Sequence, residues 1–354
     1  MRLLVAGGGT GGHISPALAT AQAFRAAHPD SEVLIVGRAG GPEEELVPQA
    51  GFSLRTVRVQ GLDRDRKARN ALLPLVLPRA LHEGARIVRE FEPHVALGVG
   101  GYVMVPGLWG ARRRRVPYVL QVSEARGLAN RALRSGAAAA CMTFAADVAA
   151  FPTPRTVLTG HPIRPGFRPR SPEVPPRRLL VLGGSQGARR LNETVWAALD
   201  ALLERFPEVV HQTGRQGEAD ASARRRPGYR PFAFTADVAG LLAESDLVLC
   251  RAGVGTTAEV TAVGLPMIVV PGTFGGGHQE YNARQLVAAG AARSIPNDAL
   301  DATTLLQELD ALTPEALRTM AAASRALARP EAAAEIVRVL REVATASPTR
   351  LERR

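Results

Sequence analysis

Short runs of apolar residues alternate along the chain with longer stretches in which apolar and polar residues recur at helical spacing. Continuous apolar runs of this length are typical of strands buried on both faces of a sheet. They predict two series of strands: Leu3–Ala6, Val33–Val36, Leu54–Val59, Val95–Val99 and Tyr118–Val122, then Arg178–Leu182, Val209–Thr213, Leu247–Cys250 and Met267–Val270. The stretches between them predict helices, among them Pro16–Ala27, Leu191–Phe206, Ala258–Val263 and Asn282–Ala289. Strands that alternate with helices indicate an α/β protein with parallel sheets.

The two halves of the chain repeat one pattern. In each half an apolar strand runs into a glycine-rich loop and then a helix, with loops at Gly7–Gly12 and Gly183–Ala188. This repeat predicts two Rossmann-like domains. We expect the ligand site in a deep cleft faced by the carboxyl ends of both parallel sheets, because open α/β sheets bind ligands at that edge.

Six prolines in Pro162–Arg178 prevent regular structure and mark the domain boundary. The predicted domains are residues 1–163 and residues 164–330. A final amphipathic helix, at about residues 331–345, is expected to pack back on the first domain.

Composition describes an ordinary globular protein of 354 residues, 46% hydrophobic and 22% charged, which excludes a disordered chain. Its two cysteines, Cys141 and Cys250, are far apart, which excludes a disulfide scaffold and favours a reducing cytosol. The first residues lack the pattern of a signal peptide, and no apolar run is long enough to span a membrane.

Positive charge is concentrated in the first half of the chain. The formal net charge is +11, of which residues 1–165 carry +9 and residues 166–354 carry +2. This asymmetry favours an acidic partner, either an anionic membrane or a phosphorylated substrate. Nucleic acid ranks below both, since no aromatic-rich RNA-binding signature or zinc-finger spacing is present. A genome bias towards arginine is an equally good explanation, because Lys67 is the only lysine.

The first glycine loop matches the dinucleotide-binding pattern Gly7-x-Gly9-x-x-Gly12, in which bare backbone N–H groups meet an anion at a helix N-terminus. An NAD enzyme needs an acid at the end of the second strand, and Arg38 stands there instead. Arg38 could accept a 2′-phosphate, so an NADP-dependent reductase is an alternative. His13, directly after the loop, is either a core or capping histidine or a general base that the helix N-terminus helps to keep neutral.

Two further segments offer groups for a phosphate. The second glycine loop carries Ser185 and Gln186 as added hydrogen-bonding side chains. Another tight loop follows the strand that ends at Cys250, and the helix after it has Thr256 or Thr257 as its expected first residue. Backbone N–H groups there can also receive phosphate, namely those of Val254, Gly255, Thr256 and Thr257.

Charged and amide side chains near these loops suit the rest of a nucleotide sugar. Glu259 is either a helix-capping acid or a carboxylate that accepts both ribose hydroxyls, and Arg251 could neutralise developing negative charge. Gln279 and Asn282 offer amides for sugar hydroxyls. Asp63-x-Asp65 could hold a metal, but its basic neighbours favour a solvated turn, so no metal or other cofactor is expected.

Six segments together resemble one family of GT-B glycosyltransferases, the UDP-N-acetylglucosamine–N-acetylmuramyl-(pentapeptide) pyrophosphoryl-undecaprenol N-acetylglucosamine transferases, over about residues 1–340. The segments are Gly8–His13, Gly98–Tyr102, Gly160–Arg164, Gly183–Ala188, Cys250–Gly253 with Glu259, and His278–Ala283. The resemblance implies inverting transfer of GlcNAc from UDP-GlcNAc to lipid I, giving lipid II for peptidoglycan, at the cytoplasmic face of the bacterial membrane. It also implies peripheral membrane attachment and contacts with other cell-wall synthesis proteins.

The resemblance implies roles for particular residues. Glu259 would bind the ribose, Ser185 and Arg164 the diphosphate region, and the backbone near Thr235 the uracil. Gln279 and Asn282 would bind the sugar hydroxyls. Residues Thr10, Gly11 and Gly12 would approach the donor from the first domain, with His13 near the acceptor.

The chain departs from the family pattern after the strand Tyr118–Val122. Where the family usually has His-Glu-Gln-Asn, this chain has Gln121-Val122-Ser123-Glu124, and Glu124 substitutes only approximately. His161 stands where Asn is usual. The departure favours, as an alternative, a related transferase with another acceptor.

An apolar run at Leu72–Pro78, flanked by Arg64, Arg66, Lys67, Arg69 and Arg79, is too short to span a bilayer. It is either a buried helix start or an interfacial patch whose arginines meet anionic headgroups.

Overall fold

The chain divides into two compact units. In a computed structural model, residues 1–9, 11–61, 70–71, 73–125, 127–184, 186–235, 237–273 and 277–346 are described. The first unit comprises residues 1–165 together with the segment from Pro330 onward, and the second comprises residues 166–329.

Parallel strands and flanking helices alternate through the first unit. Its strands are β1 (Arg2–Ala6), β2 (Glu32–Arg38), β3 (Ser53–Val57), β4 (Val95–Gly98), β5 (Tyr118–Val122), β6 (Ala139–Met142) and β7 (Thr156–Leu158). Its first helices are α1 (Gly11–Ala27), α2 (Glu43–Gln49), α3 (Leu73–Phe91), α4 (Met104–Arg113) and α5 (Leu128–Leu133). The strands lie in the order β3-β2-β1-β4-β5-β6-β7, all parallel.

The interior position of β1 in the sheet explains why the sequence of this strand is apolar without interruption. Leu3 and Val5 enter the core on one face of the sheet, while Leu4 and Ala6 enter the core on the other. A parallel strand covered on both faces has no position for a polar side chain, and each buried leucine contributes about 1.5–3 kcal/mol.

The second unit repeats the arrangement. Its strands are β8 (Arg178–Leu182), β9 (Glu208–Gln212), β10 (Tyr229–Phe232), β11 (Leu247–Arg251), β12 (Met267–Val270) and β13 (Ala292–Ser294). Its helices are α6 (Arg189–Ala197), α7 (Leu199–Arg205), α8 (Glu218–Ser222), α9 (Val238–Ala243), α10 (Val254–Val263), α11 (His278–Ala288), α12 (Ala302–Asp310) and α13 (Pro314–Leu327). The strand order is β10-β9-β8-β11-β12-β13, again all parallel.

The last described helix, α14 (Ala332–Ala346), belongs to the first unit although it follows the second in sequence. Ile336, Val339 and Leu340 lie in the same core cluster as Leu3 and Val5 of β1. None of the described helices combines the length and the apolar character needed to cross a membrane.

The proline-rich segment before β8 is irregular, as the sequence predicts, and one buried carboxylate anchors it. Asp246 accepts hydrogen bonds from the Arg170 guanidinium at 2.7 Å and from the backbone N–H groups of Glu173, Arg177 and Arg178 at 2.9 to 3.1 Å. Prolines prevent this segment from joining a helix or sheet, so a side chain satisfies its donors instead.

Several predicted bounds differ from the structure. Four short strands, β6, β7, β10 and β13, were not among the predicted elements. The strands β6, β10 and β13 contain no Val, Leu or Ile, and β7 has only three residues. The predicted helix Leu191–Phe206 is wrong as one element, because α6 ends at Ala197 and α7 begins at Leu199.

Candidate active site

The glycine loops lie where the strand order of each sheet reverses. Gly7–Gly12 follows β1, whose neighbours are β2 and β4, and Gly183–Ala188 follows β8, whose neighbours are β9 and β11. In open parallel sheets, this reversal separates the neighbouring loops and leaves a crevice at the carboxyl ends of the strands. Both predicted loops therefore occupy the ligand-binding end of their own sheets.

A carboxylate of the protein itself fills the first glycine loop. Glu43, at the start of α2, is only 1% exposed, and its Oε1 accepts hydrogen bonds from the backbone N–H groups of Gly9 and Arg38. A Cβ at Gly8 or Gly41 would lie within about 2.1 Å of this carboxylate. The glycines make room for Glu43, so the anion that meets the Gly9 N–H group is internal.

This contact argues against the dinucleotide alternative. In a dinucleotide site the bare N–H groups of the loop meet a pyrophosphate. Here Glu43 places a negative charge at that position. Arg38, the proposed 2′-phosphate partner, ends β2 and directs its Nη1 to the hydroxyl of Tyr102 at 3.5 Å. An NADP site is therefore not supported by this geometry.

His13 lies in the first turn of α1, against the tight turn that follows β4. A Cβ on Gly100 would lie 3.0 Å from its Nε2, and one on Gly101 would lie 3.2 Å from its Nδ1. Both glycines have positive φ, +101° and +72°. A Cβ on Gly100 would lie 2.8 Å from Cδ2 of His13, so the glycine at this position makes room for the imidazole. Gly12 is exposed beside His13, whereas Thr10 lies outside the described residues.

Residues of the departing segment form a hydrogen-bonded cluster in the first unit. The Gln121 amide donates to the hydroxyls of Ser123 at 3.0 Å and Thr143 at 3.2 Å. The Ser123 hydroxyl lies 3.1 Å from Nδ1 of His161. His161 is 3% exposed, and burial together with the nearby His13 lowers its pKa to about 3. The sequence does not predict this contact, because Ser123 and His161 lie 38 positions apart.

Two other predicted residues of this unit lie near its carboxyl edge. Glu124 follows β5, and its backbone carbonyl accepts a hydrogen bond from the Asn130 amide at 2.9 Å. Arg164 was predicted to bind the diphosphate from the second domain, but it lies in the segment that ends the first unit.

In the second unit, the glycine loop rests on the turn that follows β9. A Cβ on Gly187 would lie 2.4 Å from the carbonyl oxygen of Thr213, and its φ is +87°. Asn192 of α6 donates to the same carbonyl at 2.8 Å. Gln186 is exposed, and Ser185 lies outside the described residues. One side of the loop therefore packs against the turn after β9, and the other side is exposed at Gln186.

A buried network that the sequence did not reveal supports this loop. Trp196 donates to the Tyr229 hydroxyl at 2.9 Å, and that hydroxyl lies 3.0 Å from Nδ1 of His211. Nε2 of His211 lies 3.1 Å from Oδ1 of Asn192. Burial lowers the pKa of His211 to about 3, so the histidine stays neutral and bridges two partners. No sequence motif could have found this network, because its members come from three separate elements, α6, β9 and β10.

Helix α10 begins at Val254, two or three residues before the predicted start at Thr256 or Thr257, with Gly253 as its N-cap. The N–H groups of Val254, Gly255 and Thr256 are thus in the first turn, where intrahelical partners are lacking. Thr257 is different, because its N–H and its hydroxyl both bond to Gly253. Glu259, one turn further along the helix, is half-buried.

Arg251 ties three loop segments together. Its Nη1 donates to Oδ1 of Asn297 at 2.7 Å and to the carbonyls of Val270 and Pro271 at 3.3 and 3.4 Å. Burial lowers the pKa of this guanidinium. Arg251 thus links the carboxyl ends of neighbouring strands, and charge neutralisation would be a second role.

The two amides proposed for sugar hydroxyls also bridge loops. Gln279 accepts from the Gly272 N–H at 2.8 Å, and the buried Asn282 donates to the Ala252 carbonyl at 3.0 Å. The Thr235 hydroxyl accepts from the Asp237 N–H at 3.0 Å. Within the described contacts, each of these residues uses only part of its hydrogen-bonding capacity.

Other chemistry is not supported by the described residues. Burial raises the pKa of both thiols, Cys141 and Cys250, to about 12, so neither is a ready nucleophile. Within the described ranges no three His, Cys, Asp or Glu side chains cluster as a metal site would require. Asp63 and Asp65 lie outside those ranges. A cavity of about 390 Å³ is lined by Glu32, Ser53 and Glu90, at the opposite end of the strands from the glycine loops.

Comparison with known families decides between the remaining interpretations. The Glycosyltransferase family 28 N-terminal domain matches residues 3–140, and the Glycosyltransferase family 28 C-terminal domain matches residues 178–337. Full-length relatives agree with both matches. The chain belongs to glycosyltransferase family 28.

Two curated relatives of this family 28 glycosyltransferase carry the same name, UDP-N-acetylglucosamine–N-acetylmuramyl-(pentapeptide) pyrophosphoryl-undecaprenol N-acetylglucosamine transferase. The protein from Desulforudis audaxviator is 38% identical over 369 residues, covering 97% of this chain and 99% of the relative. The protein from Pseudomonas aeruginosa is 39% identical over 359 residues, covering 97% and 98%.

Solved structures agree on the architecture of this glycosyltransferase. Acinetobacter baumannii MurG has a TM-score of 0.78 and 26% identity, covering 96% of this chain and 99% of its own. The predicted α/β class with two Rossmann-like domains of GT-B type is thereby confirmed.

Proposed function

We propose that this chain transfers N-acetylglucosamine from UDP-N-acetylglucosamine to the C4 hydroxyl of the N-acetylmuramic acid in undecaprenyl-diphosphate-linked MurNAc-pentapeptide. The product is lipid II, the disaccharide lipid for peptidoglycan. One observation carries the proposal: relatives 35–40% identical over nearly the whole chain are transferases named for this donor and acceptor.

The second unit supplies the donor site. The exposed side of the loop at Gly184 and Gln186 and the first turn of α10 offer backbone N–H groups to the diphosphate. Glu259 accepts the ribose hydroxyls, and Gln279 and Asn282 bind the GlcNAc hydroxyls. When the C1–O bond to the diphosphate breaks, UDP leaves with the bonding pair, and the helix N-terminus stabilises the added negative charge.

The first unit supplies the acceptor side. As the C4 hydroxyl of the acceptor forms its bond to C1 of GlcNAc, His13 takes the hydroxyl proton. A neutral imidazole suits this step near pH 7.

A transfer assay tests the proposal. The full-length protein is incubated with radiolabelled UDP-GlcNAc and a short-chain lipid I analogue, and labelled disaccharide lipid is expected. UDP-glucose and a lipid lacking the MurNAc C4 hydroxyl serve as controls. If the folded protein makes no product above background, the proposal is wrong.

His13→Ala is expected to lower turnover by at least about 100-fold, the usual contribution of a positioned base, while leaving the affinity for UDP unchanged. Turnover is measured in the transfer assay and UDP affinity by calorimetry. His28→Ala, at the other end of α1, is the matched control and should retain activity. A wild-type rate for His13→Ala would refute the role of base.

We propose also that the start of α3 contacts the membrane that carries the acceptor. Leu75 is 71% exposed and Leu77 is 42% exposed, and Pro74, Pro78 and Arg79 beside them are exposed as well. Farther along the helix Gly84 packs against α4, and the exposed large apolar side chains among the described residues of α3 are the two leucines at its beginning. Leu72 and residues 62–69 lie outside the described residues. Apolar side chains beside arginine favour an anionic lipid surface.

Vesicle flotation measures this contact. Leu75→Asp with Leu77→Asp is expected to abolish most binding to vesicles containing anionic phospholipid, because charged side chains oppose insertion at the interface. Val287→Asp with Leu327→Asp, two partly exposed positions in the second unit, is the matched control. Equal flotation of both variants and the wild-type protein would contradict the contact.

A further inference from the structure

The cluster around His161 contains a polar atom that the protein leaves unsatisfied. Nε2 of His161 is buried and has no hydrogen-bond partner among the described residues. An unsatisfied buried polar group costs about 1–3 kcal/mol, so native proteins retain few of them, and each needs a reason.

The other nitrogen of the same ring is well held. Nδ1 of His161 lies 3.1 Å from the Ser123 hydroxyl, which lies 3.0 Å from the fully buried Gln121 amide nitrogen. The Gln121 amide also donates to Thr143. This chain of contacts orients the imidazole ring, so the direction of Nε2 is set before any ligand arrives.

The hydrogen-bond pattern determines what Nε2 can do. If Ser123 accepts from Gln121 and donates to Nδ1, then Nε2 of the neutral ring carries the proton and donates. If Ser123 instead donates to Oε1 of Gln121, which is 3.3 Å away, Nδ1 carries the proton and Nε2 accepts. A partner that can both donate and accept, such as a sugar hydroxyl, satisfies Nε2 in either arrangement.

The position of His161 in the first unit indicates which substrate Nε2 binds. His161 follows Gly160, at the carboxyl edge of the first sheet, and His13 is near enough to act on it electrostatically. The buried cluster of Gln121, Ser123 and His161 therefore lies on the same unit as the candidate base, at the carboxyl edge of its sheet.

We propose that His161 is an acceptor-binding residue, whose Nε2 hydrogen-bonds a hydroxyl of the acceptor sugar while Ser123 and Gln121 hold the ring in place. The inference rests on the proposed function, since it assigns the acceptor side of that reaction. It predicts that replacing His161 changes the KM for the acceptor and not the KM for the donor.

Steady-state kinetics separate the two substrates. His161→Ala is expected to raise the KM for the short-chain lipid I analogue about tenfold, which corresponds to about 1.4 kcal/mol, while the KM for UDP-GlcNAc changes less than about twofold. His161→Asn should recover part of the loss, because its amide again donates and accepts. Ser123→Ala should raise the acceptor KM less than His161→Ala, since the ring stays but loses its support.

His94→Gln is the matched control, because His94 lies in the same unit at the amino end of β4 and should leave both KM values unchanged. Thermal unfolding verifies that each variant is folded. An unchanged acceptor KM in folded His161→Ala, or equal changes in both KM values, would overturn the assignment.

Nitrogen-15 NMR of histidine-labelled protein tests binding of the acceptor to His161 without requiring turnover. Adding the lipid I analogue without donor should shift the Nε2 resonance of His161, assigned by its loss in His161→Asn. A wild-type protein that makes no product would refute the proposed function, yet this titration would still decide the role of His161. No shift at saturating analogue would overturn it.

Discussion

Glu43 shows how a single side chain changes the meaning of a motif. The pattern of glycines at Gly7, Gly9 and Gly12 is that of a phosphate-binding loop, yet the buried Glu43 carboxylate accepts the Gly9 N–H. The glycines are needed because a Cβ at Gly8 or Gly41 would collide with that carboxylate. We infer that this loop positions the start of α1, and hence His13.

Replacing Glu43 tests this role. Glu43→Ala leaves the Gly9 N–H without its acceptor and is expected to lower the free energy of unfolding by about 1–3 kcal/mol. Turnover should fall while UDP affinity stays unchanged, because the donor loops lie in the other unit. Urea unfolding, the transfer assay and calorimetry measure the three quantities.

Glu45→Ala is the control for this substitution. Glu45 lies on the same helix, but it is exposed and its carboxylate bonds only to the Gln49 amide among the described contacts. It should leave stability and turnover near the wild-type values. If Glu43→Ala behaved in the same way, Glu43 would have no positioning role.

At the scale of elements, the loop between β8 and α6 depends on the backbone conformation and the packing of two glycines. Gly184 and Gly187 both have positive φ, +84° and +87°. Only Gly187 is closely packed, against the Thr213 carbonyl, while a Cβ on Gly184 would meet nothing within 4 Å. Replacing Gly184 by alanine therefore tests backbone strain alone, whereas replacing Gly187 by alanine tests backbone strain together with the contact with Thr213.

Gly187→Ala is expected to weaken UDP binding by about tenfold or more, because the loop must move away from Thr213 and its N–H groups move with it. Gly184→Ala carries similar backbone strain and should weaken binding by less than about threefold. Calorimetry with UDP measures both. Equal losses would mean that contact with Thr213 does not set the loop geometry.

At the scale of the whole molecule, each unit buries a histidine that stays neutral. Burial lowers the pKa of His161 and of His211 to about 3, whereas an unfolded histidine has a pKa of about 6.5. Between these values the unfolded chain binds protons that the folded chain excludes. Stability is therefore highest above pH 6.5 and falls as the pH is lowered towards 3.

Replacing His211 should reduce this acid sensitivity. Each such histidine contributes up to about 1.4 kcal/mol per pH unit below its unfolded pKa. His211→Gln cannot take up the proton, so its free energy of unfolding should change less between pH 6.5 and pH 5 than that of the wild-type protein. Urea unfolding at several pH values gives the slopes, and identical slopes would contradict the assignment.

Much of the architecture is determined locally. Runs such as Leu3–Ala6 and Leu179–Leu182 are apolar throughout because parallel strands are covered on both faces, and the glycine loops mark where these strands end. The alternation of strand and helix then leads to two Rossmann-like units. Strands such as β10 and β13, which contain no Val, Leu or Ile, have no apolar run by which they could be predicted.

The sequence by itself determined the fold class, the order of the glycine loops and the family, because these depend on neighbouring residues and on motif spacing. Only the tertiary structure decided that Glu43 fills the first loop and that Gln121, Ser123 and His161 meet. Such contacts join residues up to 38 positions apart. They depend on strand register and side-chain direction, which no local pattern records.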